Sequence, residues 1–99
     1  MRIELTGRHL TVTDAIRQYA ESKVAKLVKF FDGTQQINVL MEALKHSSFK
    51  VELVVDVRGH DDIIATATAP DLYAAIDIAL DKAKTQLTTF KERLKEGKR

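Results

Sequence analysis

The feature that most limits the fold of this chain is a pair of adjacent segments in which apolar residues occupy every second position. In residues 36–45 and again in residues 49–58, apolar side chains alternate with mostly polar ones. Because successive side chains of a strand point to opposite faces, this period of two predicts two β-strands. The short link His46-Ser47-Ser48 between them suits a hairpin turn. We therefore expect an antiparallel pair with one buried side and one water-facing side.

Two shorter segments extend this pattern at both ends. Residues 2–6 alternate in the same way, with Ile3 and Leu5 on one face, until Gly7 interrupts them. A fourth strand is predicted over residues 63–69, because turn-forming residues precede it and Pro70 ends it. The chain therefore offers four strands.

Two further segments carry apolar residues at every third or fourth position, which predicts helices. The first follows Thr13, a good N-cap residue, and stops at Asp32-Gly33. The second follows Asp71 as its N-cap and fades near Gly97. The apolar stripe of the first helix is Ile16, Ala20, Val24, Leu27 and Phe31, and that of the second is Leu72, Ile76, Ala79, Leu80, Ala83, Leu87, Phe90 and Leu94.

The order of these elements predicts an α+β two-layer sandwich with β-α-β-β-β-α order. A strand, helix, strand unit makes its two strands parallel, whereas the short later links make an antiparallel meander. The result is a four-stranded mixed sheet with two helices on one face. No linker or repeat divides the chain, so residues 1–99 are expected to form a single domain. The open face should be polar, with Leu40, Leu44 and Val54 as apolar exceptions.

Composition and motifs exclude several classes of function. The chain has no cysteine, which rules out disulfide and thiolate chemistry. It has no leader-like N-terminus and no apolar run near the ~20 residues of a membrane span, so a cytoplasmic protein without a membrane partner is expected. His9, His46 and His60 fall in turns or loops without metal-ligand spacing. We expect no enzyme, no metal site, no cofactor and no small-molecule substrate.

Charge is unevenly distributed although the formal net charge is only +2. Residues 1–50 carry eight basic and five acidic side chains, residues 51–72 carry one and five, and residues 73–99 carry seven and four. A helical wheel puts the lysines beside the apolar stripes and the acids Asp77 and Asp81 on the outer surface. A groove between the helices would then hold cations with little compensating acid, which attracts phosphate. Charge alone leaves open an ordinary solvated helix surface.

The candidate RNA-binding residues lie on the flanks of both predicted helices. Lys26 and Lys29 share one flank of the first helix, and Lys23 lies at the rim of its apolar stripe. Aromatic side chains that could stack on bases are scarce, so contacts with RNA backbone and shape are expected rather than base readout. The full set of candidates is Lys23, Lys26, Lys29, Lys82, Lys84, Lys91, Arg93 and Lys95.

Several sequence blocks, in the same order, resemble the ribosome hibernation-promoting factors and ribosome-associated inhibitors of bacteria. Residues 71–77, Asp-Leu-Tyr-Ala-Ala-Ile-Asp, are similar to the family signature Asp-x-Tyr-Ala-Ala-Ile-Asp. Matching blocks also include Thr6-Gly7, residues 13–17 at the start of the first helix, and the basic residues within 91–95. The resemblance therefore spans nearly the whole chain.

The resemblance implies a domain that binds the small ribosomal subunit and its ribosomal RNA in stationary phase. It would lie in the channel between head and body and occlude the sites of messenger RNA and of the A-site and P-site transfer RNAs. Lys29 and Lys84 are candidates from the wheel geometry alone. The basic positions that match the family are Lys23, Lys26, Lys82, Lys91, Arg93 and Lys95.

The end of the sequence favours one branch of the family. Long members add a C-terminal domain that pairs ribosomes, and the inhibitor branch carries a longer extension, whereas this sequence stops at Arg99. We therefore expect the short promoting type. By analogy it would act with a separate ribosome modulation factor to form ribosome dimers.

Three other hypotheses remain open at this point. The last three strands and helix are similar in order to double-stranded RNA-binding modules, which would make the chain a general RNA binder. Leu40, Leu44 and Val54 could make the open sheet face a protein-interaction surface. An enzyme built around His46 or His60 is the weakest of the three.

Overall fold

A computed structural model describes residues 2–30, 34–59 and 61–97 of the chain. The predicted order β-α-β-β-β-α is confirmed. The elements are β1 (Arg2–Arg8), α1 (Asp14–Phe30), β2 (Thr34–Leu44), β3 (Ser48–Val57), β4 (Ile63–Ala69) and α2 (Leu72–Gly97).

The four strands form one mixed sheet in the order β1-β2-β3-β4. The crossover through α1 makes β1 and β2 parallel, with Leu5 opposite Val39. The meander β2-β3-β4 is antiparallel, and its register places Leu53 between Val39 and Ala65. Both β1 and β4 are therefore edge strands.

Alternate side chains of the strands and the apolar stripes of both helices form one core. The stripe residues of α1 from Ile16 to Leu27 are buried, and those of α2 are buried as far as Leu87. The strand residues Ile37, Val39, Val51 and others of the same faces are fully enclosed, which confirms the predicted buried faces. Phe31 lies outside the described residues, as does the side chain of Leu94. Both helices thus cover the same face of the sheet.

The two predicted N-caps are present. The side chain of Thr13 accepts a hydrogen bond from the backbone N–H of Ile16 at 3.2 Å, and Asp71 accepts one from Ala74 at 3.1 Å. Each cap satisfies an N–H group that the first helical turn cannot pair internally. The starts of both helices are thereby fixed by local sequence.

Strand β1 is longer than predicted, since it continues through Gly7 to Arg8. Gly7 does not end the strand; instead it allows the following loop to fold tightly against it. A Cβ atom at this position would overlap the carbonyl oxygen of Leu10 and would lie 3.1 Å from a methyl group of Val12. The glycine is therefore required by close approach of backbone.

The β2-β3 hairpin closes as expected at His46 and Ser47. Both residues have positive φ angles, 61° and 54°, and Ser48 donates a side-chain hydrogen bond to the carbonyl of Lys45 at 3.2 Å. The exposed His46 belongs to this turn.

No helix in the described part of the chain is both long and apolar enough to cross a membrane.

Candidate nucleic-acid interface

A groove of about 610 Å³ runs between α1 and α2. Its floor is apolar, because it includes Leu27 and Leu80 from the two buried stripes. Its walls carry long polar side chains from both helices. The residues that line it are Lys23, Lys26, Leu27, Lys29, Asp77, Leu80, Asp81 and Lys84.

Helical spacing explains how these side chains come to share one groove. Lys23, Lys26 and Lys29 follow each other at intervals of three, so they lie along one flank of α1. On α2, Asp77 and Lys84 are seven residues apart, which places them on nearly the same side of the helix. Packing of the buried stripes against the sheet then brings the two flanks together. Four lysines and two aspartates meet in a small volume.

At one end of the groove, side chains of the two helices contact each other directly. The Tyr19 hydroxyl donates a hydrogen bond of 2.7 Å to Oδ1 of Asp77. The Nζ atom of Lys23 lies 3.8 Å from the same carboxylate oxygen and 5.3 Å from the centre of the Tyr19 ring. Tyr73 packs edge-on against Tyr19, with ring centres 4.8 Å apart. Lys23 is thus held by both an ion pair and a cation–π contact.

The contact with Asp77 also changes the pKa of Tyr19. The hydrogen bond to Asp77, partial burial and nearby negative charge raise the pKa of Tyr19 from 10.0 to about 12. The neutral phenol is the form that can donate to the carboxylate, so the contact favours the protonated state. Tyr19 therefore remains a hydrogen-bond donor throughout the physiological pH range.

The other end of the groove presents further cations from both helices. Lys26 and Lys29 are exposed, and no described residue forms an ion pair or hydrogen bond with either ammonium group. Lys84 is also exposed and lines the same volume from α2. Ammonium groups on the walls of a groove can each bind a phosphate oxygen. This end of the groove therefore combines positive charge with an apolar floor.

The acids in the groove correct one expectation from the sequence. Asp77 and Asp81 were expected on the outer surface, with little acid in the groove, but both line it. The seven-residue spacing of Asp77 and Lys84 could have revealed this, because residues so spaced differ by only about 20° on a helical wheel. The groove is therefore only partly basic, and Lys23 is partly neutralised by Asp77.

Lys82 lies on the opposite flank of α2 and has a different environment. Its Nζ atom donates a hydrogen bond of 2.9 Å to the carbonyl oxygen of Thr66. One turn later, the side-chain amide of Gln86 donates an equivalent bond of 2.9 Å to the carbonyl oxygen of Ile64. Both carbonyls belong to the edge strand β4. Neither Lys82 nor Gln86 lines the groove.

The three remaining candidates lie further along α2, beyond the residues that line the groove. Lys91 is half-buried and Arg93 is exposed. The backbone of Lys95 is helical, but its side chain lies outside the described residues. Of the eight candidates, the structure therefore brings together Lys23, Lys26, Lys29 and Lys84.

The open face of the sheet is a second, less coherent surface. Leu40 and Leu44 are each 37% exposed, and Ile64, which the sequence analysis had not singled out, is 53% exposed. Ile64 pairs with the half-buried Val54 across β3 and β4. Acidic and basic side chains surround these apolar residues, since Glu42 lies opposite Lys50. The surface is mixed in character and has no single chemical preference.

No three His, Asp or Glu side chains in residues 2–30, 34–59 and 61–97 come close enough together to hold a metal ion. His46 is part of an exposed turn, and His60 lies outside the described residues.

Comparison with known proteins identifies the family. Residues 3–95 match the family described as Sigma 54 modulation protein / S30EA ribosomal protein. The chain belongs to this family. The match reaches every element of the fold, including both helices that form the groove.

Curated relatives in the family align over nearly the whole chain. A ribosome hibernation promoting factor of Azotobacter vinelandii is 38% identical over 93 residues, covering 94% of this chain and 85% of that protein. The ribosome hibernation promoting factor of Escherichia coli K12 is 37% identical over 98 residues, covering 97% and 99%. These factors are regulatory proteins and not enzymes, in agreement with the expectation from the sequence.

Solved structures share the fold. A ribosomal subunit interface protein from Coxiella burnetii superposes with a TM-score of 0.85 at 26% identity, covering 93% of this chain and 99% of that one. The N-terminal domain of Protein Y from Thermus thermophilus gives 0.81 at 37% identity, covering 91% and 99%. The two-layer arrangement of this chain is therefore that of its family.

Proposed function

We propose that this chain binds the small ribosomal subunit through the groove between α1 and α2 and holds ribosomes in a hibernating state. The proposal is carried by the convergence of Lys26, Lys29 and Lys84 in one groove of a chain that aligns almost end to end with ribosome hibernation promoting factors. Ribosomal RNA is a polyanion, so such a groove supplies the charge that binding requires.

The chemistry of the groove favours contact with the RNA backbone. Lysine ammonium groups act as point charges that suit phosphate oxygens. Among the described side chains, Tyr73 is an exposed aromatic residue near the groove, and it already packs against Tyr19. The protein therefore recognises the position of phosphates and the shape of the RNA rather than a base sequence.

Occlusion is the mechanism that fits a protein of this kind. The domain is elongated, with extents of 50 × 24 × 18 Å, and the 26 residues of α2 extend for about 39 Å. A body of this shape can lie along the channel between head and body of the small subunit. There it would cover the path of messenger RNA and the A and P sites, so that translation cannot start. Formation of ribosome dimers with a separate modulation factor is the further step that we propose.

Charge reversal in the groove tests this function. We expect Lys26→Glu, Lys29→Glu and Lys84→Glu together to reduce co-sedimentation with small subunits by roughly 100-fold or more, because three phosphate contacts become repulsive. The matched control reverses the charges of Arg8, Lys45 and Arg58, which are exposed and outside the groove. The control changes the net charge equally and should retain binding. Circular dichroism checks that both variants remain folded.

A chemical footprint on the small-subunit RNA tests the location. We expect protection confined to the decoding region and to the channel around it. Equal loss of binding in both charge-reversed variants would contradict the groove as the interface. Tight binding to any RNA hairpin, without preference for the subunit, would instead favour a general double-stranded RNA-binding module.

A further inference from the structure

The groove contains a feature that weakens its attraction for phosphate. Asp77 lies on the same wall as Lys84, and its carboxylate is shared by donors from the opposite helix. Phosphate contacts need cations, and a carboxylate in the same groove repels a polyanion. If maximal affinity for RNA were the only requirement, a neutral residue at this position would serve better.

Asp77 acts mainly on Lys23. The distance from Nζ to Oδ1 is 3.8 Å, and the side chains of Lys23 and Asp77 are 36% and 47% exposed. The Tyr19 hydroxyl fixes this same oxygen from 2.7 Å, and the Tyr19 ring lies beneath the ammonium group. Lys23 is therefore held in place and partly neutralised, whereas Lys26 and Lys29 have no such partner among the described residues.

We propose that Asp77 sets the RNA selectivity of the groove by restraining Lys23. This inference rests on the proposed function and concerns the same surface. Unstructured RNA gains only the general electrostatic attraction, which the Lys23–Asp77 pair reduces. An RNA surface whose phosphates are placed opposite Lys26, Lys29 and Lys84 gains contacts with these lysines and does not depend on Lys23. Selectivity is a difference of affinities, and a repulsive group that penalises the wrong partner increases it.

The decisive variant is Asp77→Asn, in which the amide oxygen can still accept the hydrogen bond from Tyr19 but the charge is lost. We expect its affinity for a 30-nucleotide poly(U) strand to increase roughly fivefold at low salt, as expected for release of an exposed ion pair. The slope of log affinity against log salt concentration should become steeper by about one, because one more lysine becomes available to phosphate. Its affinity for small subunits should change less, so that the preference for the subunit falls.

Two matched variants separate this effect from a simple change of charge. Asp81→Asn removes the same charge from the same groove, but the Asp81 carboxylate forms no ion pair with a described residue. It should steepen the salt dependence by much less. Adding Lys23→Met to Asp77→Asn removes the released cation and should restore the wild-type salt dependence. The midpoint of thermal unfolding checks that the three variants remain folded.

Each outcome bears on one proposal. Unchanged poly(U) binding by Asp77→Asn, an equal effect of Asp81→Asn, or an unchanged preference for small subunits would overturn the selectivity role. Failure of the wild-type protein to bind small subunits, together with the expected response to poly(U), would overturn the proposed function and leave Asp77 as a restraint on general RNA binding only.

Discussion

Lys82 and Lys84 are the same residue type, two positions apart on one helix, yet their surroundings differ completely. Lys84 lines the groove against α1, whereas Lys82 donates a hydrogen bond to the backbone of β4. The two flanks of α2 therefore have separate roles. One flank lines the groove, and the other forms hydrogen bonds with the edge strand of the sheet. A basic residue on a helix flank is thus not evidence of RNA binding until its neighbours are known.

The flank of α2 that carries Lys82 and Gln86 also affects the exposed edge of the sheet. Strand β4 reads Ile-Ile-Ala-Thr-Ala-Thr-Ala, contains no charge and lies at an edge. Such a segment can pair with strands of other molecules when its edge is exposed. Lys82 and Gln86 are one helical turn apart and cover two carbonyls that are two residues apart on the strand. Their side chains make this edge less available for intermolecular pairing.

The sharpest test of the comparison between Lys82 and Lys84 is to reverse the charge of each lysine separately. We expect Lys84→Glu to lower affinity for small subunits by roughly tenfold or more, because a phosphate contact becomes a repulsion. Lys82→Glu changes the charge equally but should lower affinity by less than about threefold through long-range effects alone. The measurement is co-sedimentation at fixed salt. Equal losses would mean that both flanks of α2 face RNA.

The free energy of unfolding should depend more on Lys82 than on Lys84, which is the opposite of the order expected for affinity. Removing Lys82 and Gln86 together, as the double alanine variant, should lower the free energy of unfolding by about 1–2 kcal/mol, since two hydrogen bonds to β4 are lost. Lys84→Ala should change it by less than about 0.5 kcal/mol. Urea denaturation followed by circular dichroism measures both. A greater loss for Lys84→Ala would reverse the assignment of the two flanks.

Salt titration sharpens the comparison further. Lys84→Gln should reduce the slope of log affinity against log salt for small subunits by about one, as expected for one phosphate contact. Lys82→Gln should leave the slope unchanged. Identical slopes for the wild type and Lys84→Gln would show that Lys84 does not neutralise a phosphate.

The smallest expected effect concerns Tyr19 on the groove flank. Its pKa is raised to about 12, so between pH 10 and pH 12 the folded state keeps a proton that the unfolded state releases. The stabilisation is fully present below pH 10 and is lost as pH rises through 12. Tyr19→Phe should lack this part of the pH dependence, a difference of less than about 1 kcal/mol.

Comparison of unfolding curves at pH 9 and pH 11 measures this difference. Tyr73→Phe is the control, because it keeps the Tyr19 hydroxyl and its bond to Asp77 and should retain the pH-dependent fall. Parallel behaviour of wild type and Tyr19→Phe would contradict the interhelical hydrogen bond.

Local sequence predicted the elements of the fold and most of the core. The caps at Thr13 and Asp71 start the helices where expected, and the period-two segments are strands with the predicted buried faces. These features depend on residues near each other in the chain, so periodicity and propensity suffice to find them. The extension of β1 through Gly7 was missed because it depends on contact with the loop at Leu10.

The candidate site was predictable only in part. The helical wheel correctly grouped Lys26 with Lys29 on one flank of the first helix. It did not show that Asp77 would reach Tyr19 and Lys23 on the other helix, 58 residues away for Tyr19. Nor did it show that Lys82 would meet a carbonyl of β4.

The amino-acid sequence by itself determined four strands, two helices, the face that each one buries and the basic character of the helix flanks. Only the tertiary structure decided which basic side chain meets an acid, which meets a backbone carbonyl and which lines the groove between the helices. The physical reason is that a helical wheel fixes the direction of a side chain on its own helix. What lies opposite that side chain is supplied by another element, and the packing of the core determines which one.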